Sequence, residues 1–278
     1  MVPVVSLPRR ASCYAVALCI MGKVVAIANQ KGGVGKTTTA INLGSSLAAA
    51  EASTLVVDLD PQANLTSGLG LRSESRNGTI YDALIRQTPV AEIIIGTMLE
   101  RLKAIPSERN LTGAEIELVG EPRREFRLKD VLAPVVASYD YLLIDCPPSL
   151  GLLTVNALVA ADSVLIPLQC EFFALEGVME LMSTIQRVRG SFNPGLSIEG
   201  ILLTMYDERT NLSAQVTDDV RGHFREVVFE SVVPRNVRLA EAPSHGQPIL
   251  LYDIRSKGAE AYLSLTKEIL GHETQSAR

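Results

Sequence analysis

The sequence predicts an α/β fold, a mostly parallel sheet with helices on both faces. Short apolar runs rich in Val, Ile and Leu alternate with longer stretches in which apolar residues recur at helical spacing. Strands that alternate with helices form βαβ units and hence a parallel sheet. The composition, 47% hydrophobic and 21% charged, is that of a folded globule. A chain of 278 residues is long enough to bury a large core.

The predicted elements follow in chain order. A β-branched, apolar run over 24–28 predicts the first strand, and a glycine-rich loop separates it from a helix over 37–50. Ligands of parallel sheets bind at the carboxyl ends of the strands, so we expect the functional residues at these ends. The further predicted strands are 55–57, 141–144, 164–168 and 198–205, and the further helices are 79–87, 151–160, 174–190, 211–224 and 257–270.

Composition excludes several functional classes. The 26 basic and 31 acidic residues give a net charge of −5, which argues against a uniformly basic nucleic-acid binder but allows a local basic patch. Trp is absent and aromatic residues make up 5%, which disfavours aromatic stacking platforms for single strands. The four cysteines form no CxxC pair and are expected to be free thiols in a reducing cytosol.

Residues 1–20 differ from the rest of the chain. Arg9 and Arg10 precede an apolar stretch, as in a short signal peptide, but a small-residue cleavage site is missing. We expect this N-terminal extension to be a disordered tail or the product of an upstream start codon, with Met21 as the natural start. Residues 21–278 are expected to form a single domain. No apolar run in the sequence is as long as a membrane span.

The strongest motif is KGGVGKTT at 31–38, between a predicted strand and a predicted helix. Glycines there let backbone N–H groups surround phosphate oxygens, and the helix N-terminus adds partial positive charge. Lys36 would then contact the β- and γ-phosphates, and the Thr37 hydroxyl would coordinate Mg²⁺. Gln30 stands where the common pattern has glycine, and Lys31 is an additional lysine. The predicted nucleotide-binding residues are Gly32, Gly33, Val34, Gly35, Lys36, Thr37 and Thr38.

Carboxylates end two of the predicted strands. Asp58 and Asp60 follow the second strand, and Asp145 ends the apolar run at 142–144. Asp60 is the candidate to polarise the attacking water. Asp58 either stabilises the end of the strand or belongs to the coordination shell of the metal. Asp145 after an apolar strand is typical of a carboxylate that orients Mg²⁺. Cys146, next to it, is more typical of a buried core residue than of a reactive thiol.

The motif at 31–39 resembles the deviant Walker A motif of the ParA/MinD group of P-loop ATPases. The resemblance implies a P-loop NTPase fold and ATP and Mg²⁺ as ligands. It also implies that Lys31 reaches the phosphates of a partner subunit in a nucleotide-sandwich dimer, with Gly32 at the close dimer contact. Asp60 matches the switch aspartate of the group. The expected catalytic residues are thus Lys31, Lys36 and Asp60, and the expected metal ligands are Thr37, Asp60 and Asp145.

Two later loops are polar and irregular, and their composition alone does not separate connectors from functional loops. Their sequences, TMYDERTN from 204 and VPRNVRLAEAPSHGQPI from 233, resemble the ParA/Soj chromosome-partitioning branch. The resemblance places Pro234, Arg235 and Asn236 at the adenine and assigns DNA-backbone contacts to Arg209 and Arg238. Further candidates for the same face, on weaker grounds, are Arg221, Arg225, Arg255 and Lys257.

The function implied by this resemblance is an ATP-dependent DNA-segregation ATPase. Its ATP-bound homodimer would bind DNA without sequence preference, and a ParB-like partner would stimulate hydrolysis and reset it. The expected location is cytoplasmic and associated with the nucleoid, without stable membrane association.

Two other functions are weighed against this one. A MinD-like membrane ATPase that places the division site needs a basic amphipathic C-terminal helix, but Lys267 and Arg278 are the only basic residues of 258–278. An electron-transfer relative of nitrogenase iron protein needs two suitably placed cysteines per subunit. Cys146 and Cys170 are present, but a bridging cluster ligand is not expected at Cys146, directly after the carboxylate Asp145 that ends the apolar strand.

Overall fold

The computed structural model describes residues 22–71, 77–171 and 174–276, in which eight strands form one sheet. The strand order is β3-β4-β2-β5-β1-β6-β7-β8, and only β3 pairs antiparallel. The predicted fold class is therefore confirmed, whereas the prediction for residues 1–20 lies outside the described residues. The strands are β1 (Lys23–Ile27), β2 (Thr54–Asp58), β3 (Ile95–Gly96), β4 (Leu102–Ile105), β5 (Tyr141–Asp145), β6 (Ser163–Gln169), β7 (Ser197–Tyr206) and β8 (Val228–Pro234).

Helices connect the strands and cover both faces of the sheet. Each predicted helix is present, although the one predicted over 79–87 is shorter and the one predicted over 257–270 continues to Ser276. The helices are α1 (Lys36–Ala49), α2 (Asn64–Gly68), α3 (Ile80–Ile85), α4 (Val90–Ile93), α5 (Leu111–Glu117), α6 (Arg127–Leu132), α7 (Leu152–Ala160), α8 (Ala174–Ser191), α9 (Asn211–Phe224), α10 (Val237–Glu241), α11 (Ile249–Tyr252) and α12 (Lys257–Ser276).

The sheet separates two apolar layers, because successive side chains of a strand point to opposite faces. In β1, Val24 and Ala26 lie in one layer, whereas Val25 and Ile27 lie in the other. The first layer contains α7 and α8, and the second contains α1 and α12. Gly44 lets α1 approach the sheet closely, because a Cβ there would lie 2.8 Å from Val56.

The C-terminal helix α12 is part of the core. Its apolar side chains Ala259, Tyr262, Leu265 and Ile269 are buried in the same layer as α1, and the Tyr262 hydroxyl lies 3.2 Å from Thr39 Oγ1. This helix therefore docks on the domain through its apolar face. Among the helices described, none combines the length and hydropathy needed to cross a bilayer.

Parallel pairing brings the carboxyl ends of five strands, β1, β2, β5, β6 and β7, to one edge of the sheet. Asp58 at the end of β2 is in register with Asp145 at the end of β5. The phosphate-loop motif follows β1, which pairs with β5 and β6. The residues predicted from separate motifs therefore converge on the centre of this edge.

Candidate nucleotide-binding site

The loop between β1 and α1 has the backbone conformation that the glycine motif predicts. Gly33 and Gly35 have φ values of 76° and 92°, a region that L side chains rarely adopt. Gly35 is the N-cap of α1, and no side chain caps this helix. The first N–H groups of α1 have no intrahelical acceptor, and together with the helix dipole they form an anion-binding site. The loop is therefore suited to bind phosphate.

The two lysines of the motif have different environments. Lys36 is buried, and its Nζ donates to the Lys31 carbonyl oxygen at 3.0 Å. Burial lowers the pKa of Lys36, while the carboxylates of Asp145 and Asp60 oppose this change. The Lys31 side chain is 40% exposed and pairs with Glu171 Oε2 at 2.7 Å. Its ammonium is thus engaged by a carboxylate of the same chain, on a residue that the sequence analysis missed.

The chemistry of a metal site is present at Asp145. Its carboxylate is fully buried, and neither oxygen meets hydrogen-bond geometry with a protein donor in the described part of the chain. Burial and the neighbouring Asp58 raise the pKa of Asp145 well above its usual value, while the Thr37 hydroxyl and the Lys36 ammonium oppose the rise. Unpartnered buried oxygens are costly, and a bound cation would satisfy them. Thr37 and Asp145 therefore fit Mg²⁺.

Asp58 is a structural residue of this edge. Its Oδ2 accepts from the Thr66 amide at 2.8 Å and from the Thr66 hydroxyl at 2.6 Å, and its Oδ1 accepts from the Asp60 amide. The Thr66 hydroxyl in turn accepts from the Ser107 amide at 2.9 Å. Burial raises the pKa of Asp58 to about 6. Of the two alternatives for Asp58, the bonds favour holding the strand end.

Asp60 lies at the start of the turn that Asp58 anchors. It is 7% exposed, its Oδ1 accepts from the Gln62 amide at 2.9 Å, and its carbonyl oxygen accepts from the Ala63 amide. Its Oδ2 makes no hydrogen bond to the described residues. One oxygen thus fixes the carboxylate to the turn, and the other is available to a water molecule.

A cavity of about 180 Å³ adjoins the phosphate loop. Its lining includes the residues predicted at the adenine, Pro234, Arg235 and Asn236. Sequence reasoning did not assign several other side chains of its wall to the site, among them Met205 and Tyr262. The wall at Thr204 is tied to the phosphate loop, because its hydroxyl donates to the Val34 carbonyl oxygen at 2.9 Å. The remaining lining residues are Gly35, Thr38, Val233, Leu239 and Ala240.

The two arginines predicted to bind DNA are exposed and paired with carboxylates. Arg209 donates through Nε and Nη2 to both oxygens of Asp207, at 2.8 and 2.7 Å. These bonds hold the pKa of Asp207 well below its usual value. Arg238 donates to Glu241 at 2.9 Å and lies 3.7 Å from Asp253. Both guanidinium groups are therefore oriented, with a large fraction of their surface open.

The weaker basic candidates are exposed as well. The amide of Arg255 donates to Asp253 Oδ1, so Arg255 and Arg238 share this neighbour. Arg221 lies on α9, at 3.5 Å from the Glu230 carbonyl oxygen. No contact in the described residues groups Arg221, Arg225 or Lys257 with the two arginines above. These three stay predictions.

The cysteines of the described residues are core residues. Cys146 is fully buried and Cys170 is 5% exposed, and both are free thiols. Burial raises the pKa of each thiol, so both are neutral. The prediction that Cys146 is a buried core residue is confirmed.

Comparison with known proteins agrees with this geometry. Residues 22–198 match a family model described as an AAA domain. The chromosome partitioning protein ParA of Myxococcus xanthus is 58% identical over 254 residues, which are 91% of this chain and 90% of that protein. The sporulation initiation inhibitor protein Soj of Bacillus subtilis is 56% identical over 249 residues, 90% of this chain and 98% of that protein.

Solved structures share the fold, and one of them holds a nucleotide and magnesium. Cobyrinic acid a,c-diamide synthase from Mycobacterium smegmatis, with bound ADP and magnesium, superposes with a TM-score of 0.81 at 37% identity, over 93% of this chain and 97% of that one. The cell division ATPase MinD of Pyrococcus furiosus superposes with a TM-score of 0.77 at 27% identity, over 91% and 100% of the chains.

Proposed function

Since the chain belongs to the ParA/Soj family of chromosome-partitioning ATPases, we propose that it segregates DNA through an ATP-dependent dimer that binds DNA without sequence preference. It is an ATPase whose ligands are ATP and Mg²⁺. The proposal adds that a ParB-like partner stimulates hydrolysis and that the protein associates with the nucleoid in the cytoplasm.

One observation carries the proposal: the arginine-bearing loops begin at the wall of the nucleotide cavity. The Arg235 amide donates to the Tyr206 carbonyl oxygen at 2.9 Å, so the segment 234–236 is tied to the end of β7, from which the Arg209 loop departs. The Arg238 amide donates to Asn236 Oδ1 at 2.8 Å. A nucleotide against Pro234 and Asn236 therefore contacts the segments that position both arginines.

Each residue of the site has a role in hydrolysis that its environment supports. The α1 N-terminus and the Lys36 ammonium bind the phosphates, and Thr37 with Asp145 holds the cation. Mg²⁺, when bound, supplies positive charge to the phosphate oxygens. Asp60, fixed through one oxygen, accepts a hydrogen bond from the attacking water through the other and orients it. Water exclusion around the buried Asp145 strengthens these electrostatic interactions.

The second lysine supports the dimer. The Lys31 ammonium pairs with an exposed carboxylate, that of Glu171. An exposed ion pair of this kind contributes little, about 0–1 kcal/mol. Exchange of the Glu171 carboxylate for the triphosphate bound to another subunit is therefore favourable for the Lys31 ammonium. In a dimer the oriented arginines of both subunits add their weak phosphate contacts by avidity.

Co-sedimentation with plasmid DNA and, in parallel, with anionic liposomes tests the proposal. Each assay is run with ATP, with ADP and without nucleotide, at two salt concentrations. We expect DNA binding only with ATP, and a loss of binding at the higher salt because phosphate contacts release counterions. Binding to liposomes without binding to DNA would instead support the membrane ATPase, although the apolar face of α12 is buried in the core.

Charge reversal locates the DNA contact. Arg238→Glu is expected to weaken DNA binding while ATP binding is retained, because the arginine lies outside the phosphate loop. Arg86→Glu is the matched control, since Arg86 is also largely exposed and also pairs with a carboxylate, Asp82, at 2.8 Å. Equal DNA affinity of the two variants would refute the proposed role of Arg238.

A further inference from the structure

The loop at 146–151 connects the predicted metal ligand to α7. It begins directly after Asp145 at the end of β5 and ends at Gly151, the N-cap of α7. Its middle lies against the phosphate loop, because a Cβ built at Gly32 would lie 3.8 Å from the Pro148 Cβ. The position of this loop therefore affects both the metal ligand and the phosphate loop.

The helix at the far end of this loop has no cap of its own. Gly151 has no side chain to accept from the first turn of α7, where the N–H groups lack intrahelical partners. A residue from another element supplies the acceptor: Glu115 of α5 accepts from the Leu153 amide through Oε1 at 3.2 Å. A carboxylate at a helix N-terminus is also favoured by the helix dipole.

Gly151 and Glu115 fit each other. A Cβ at position 151 would lie 2.2 Å from Glu115 Oε1, so the carboxylate occupies the space that a side chain would take. The backbone at Gly151, with φ −75° and ψ −172°, is open to any residue. The glycine is therefore required for the approach of Glu115 and not for the backbone conformation. A second tie in the same turn is the Thr154 hydroxyl, which donates to the Ser149 carbonyl oxygen at 2.6 Å.

We infer that Glu115 is a positioning residue for ATP hydrolysis. Within the described part of the chain, its side chain bonds to the Leu153 amide and to no residue of the phosphate loop or Asp145. It fixes the C-terminal end of the 146–151 loop, and β5 fixes the other end, so that Asp145 and Pro148 keep their places beside the phosphate loop. Loss of the carboxylate removes one of two ties at that end and leaves only the bond from the Thr154 hydroxyl to the Ser149 carbonyl oxygen, so the loop is held less firmly. The inference depends on the ATPase activity alone and not on the proposed DNA binding.

Steady-state hydrolysis in the full-length protein tests this role. Glu115→Ala is expected to lower kcat about tenfold, the equivalent of one lost helix cap, with the KM for ATP changed less than about twofold. Glu115→Gln keeps an oxygen acceptor and is expected to retain most of kcat. Glu117→Ala is the control, because Glu117 lies on the same helix and its carboxylate accepts from the Tyr81 hydroxyl, away from the loop. Unchanged kcat in Glu115→Ala would contradict the inference.

A double-mutant cycle with Gly151→Ala separates positioning from a general loss of stability. Alone, Gly151→Ala displaces the carboxylate and is expected to lower kcat as Glu115→Ala does. In the Glu115→Ala background the space is empty, so the second substitution is expected to cost little more. Losses that multiply, instead of overlapping, would show that the two residues act independently and would overturn the inference.

A fluorescence measurement reports on the loop itself. The sequence contains no Trp, so Leu150→Trp introduces a single reporter next to Gly151. We expect acrylamide to quench this reporter more strongly in Glu115→Ala than in Glu117→Ala, with both variants cooperatively folded. Equal quenching in the two folded variants would show that Glu115 does not hold the loop. If Glu115→Ala did not fold, the same comparison between Gly151→Ala, which displaces the carboxylate, and Glu117→Ala would decide.

Discussion

Thr66→Val tests the buried network that fixes the turn of Asp60. Thr66 is fully buried, and its hydroxyl donates to Asp58 Oδ2 at 2.6 Å while accepting from the Ser107 amide at 2.9 Å. Valine has nearly the same shape, so the substitution removes these two bonds without opening a cavity. Asp58 keeps its bond from the Thr66 backbone amide.

The magnitude follows from the two lost bonds. A hydrogen bond to a charged group contributes about 1.5–3 kcal/mol, and a buried amide that loses its acceptor costs about 1–3 kcal/mol. The free energy of unfolding is therefore expected to fall by about 3–5 kcal/mol. This is a large share of the total free energy of unfolding of a domain, which is typically about 5–15 kcal/mol. The turn loses a tie as well, and kcat for ATP hydrolysis is expected to fall with it.

Urea denaturation followed by far-UV circular dichroism measures the loss, with an unchanged m-value as the sign that folding stays two-state. Thr54→Val is the control, because Thr54 is equally buried and its hydroxyl makes one bond, to the Ala52 carbonyl oxygen at 3.1 Å. We expect about 1 kcal/mol for this variant. A loss in Thr66→Val no larger than in Thr54→Val would refute the argument.

Three further substitutions test the site and the sheet. Lys36→Ala is expected to weaken ATP binding about 100-fold in titration calorimetry, because a buried ammonium bound to phosphate is lost. Between pH 4 and pH 7 the free energy of unfolding of the parent is expected to fall by about 3 kcal/mol more than that of Asp58→Asn, since the Asp58 pKa is raised from 3.8 to about 6. Gly200→Ala is expected to cost about 1–3 kcal/mol in thermal denaturation, because its Cβ would lie 2.4 Å from the Phe229 ring.

The sign of the pH prediction follows from the direction of the Asp58 shift. A raised pKa means that the folded chain favours the protonated carboxyl, so its contribution to stability is present below about pH 4 and lost as the pH rises through about 6. Asparagine does not titrate and avoids this loss. A parallel pH dependence of the two proteins would contradict the shift. Retained ATP affinity in Lys36→Ala, or an unchanged melting temperature in Gly200→Ala, would contradict the other two predictions.

The elements predicted from sequence are those with a strong local pattern. The five central strands β1, β2, β5, β6 and β7 are mainly apolar because both faces of the sheet are covered, and each of them was predicted. The internal strand β4 was missed, because it has only four residues and Lys103 interrupts its apolar pattern. The edge strand β8 carries Glu230 and Ser231 among apolar residues, and the amides of both donate to Glu268 of α12. Two adjacent polar side chains interrupt the apolar run of this strand, so no periodic pattern marks it. The missed strand β3 has only two residues, too short for any periodicity.

In the candidate site too, some residues lie in sequence motifs and were predicted, whereas others were found only from the structure. Lys36, Thr37 and Asp145 follow buried strands in recognisable motifs, so their convergence at one sheet edge could be predicted from the sequence. Glu171, which pairs with Lys31, and Glu115, which caps α7, meet their partners only in the folded chain. A carboxylate on a distant element has no sequence spacing that relates it to its partner. Such supporting residues therefore require the three-dimensional arrangement.

Sedimentation velocity of Asp60→Ala with ATP and Mg²⁺, in the presence of a DNA duplex, tests the central proposal most directly. The substitution removes the carboxylate expected to orient water but leaves Lys36, Thr37 and Asp145 in place. We predict a dimer that co-sediments with the duplex in ATP and a monomer free of DNA in ADP. A variant that stays monomeric in ATP, or a dimer that leaves the duplex unbound, would contradict the ATP-dependent, DNA-binding dimer.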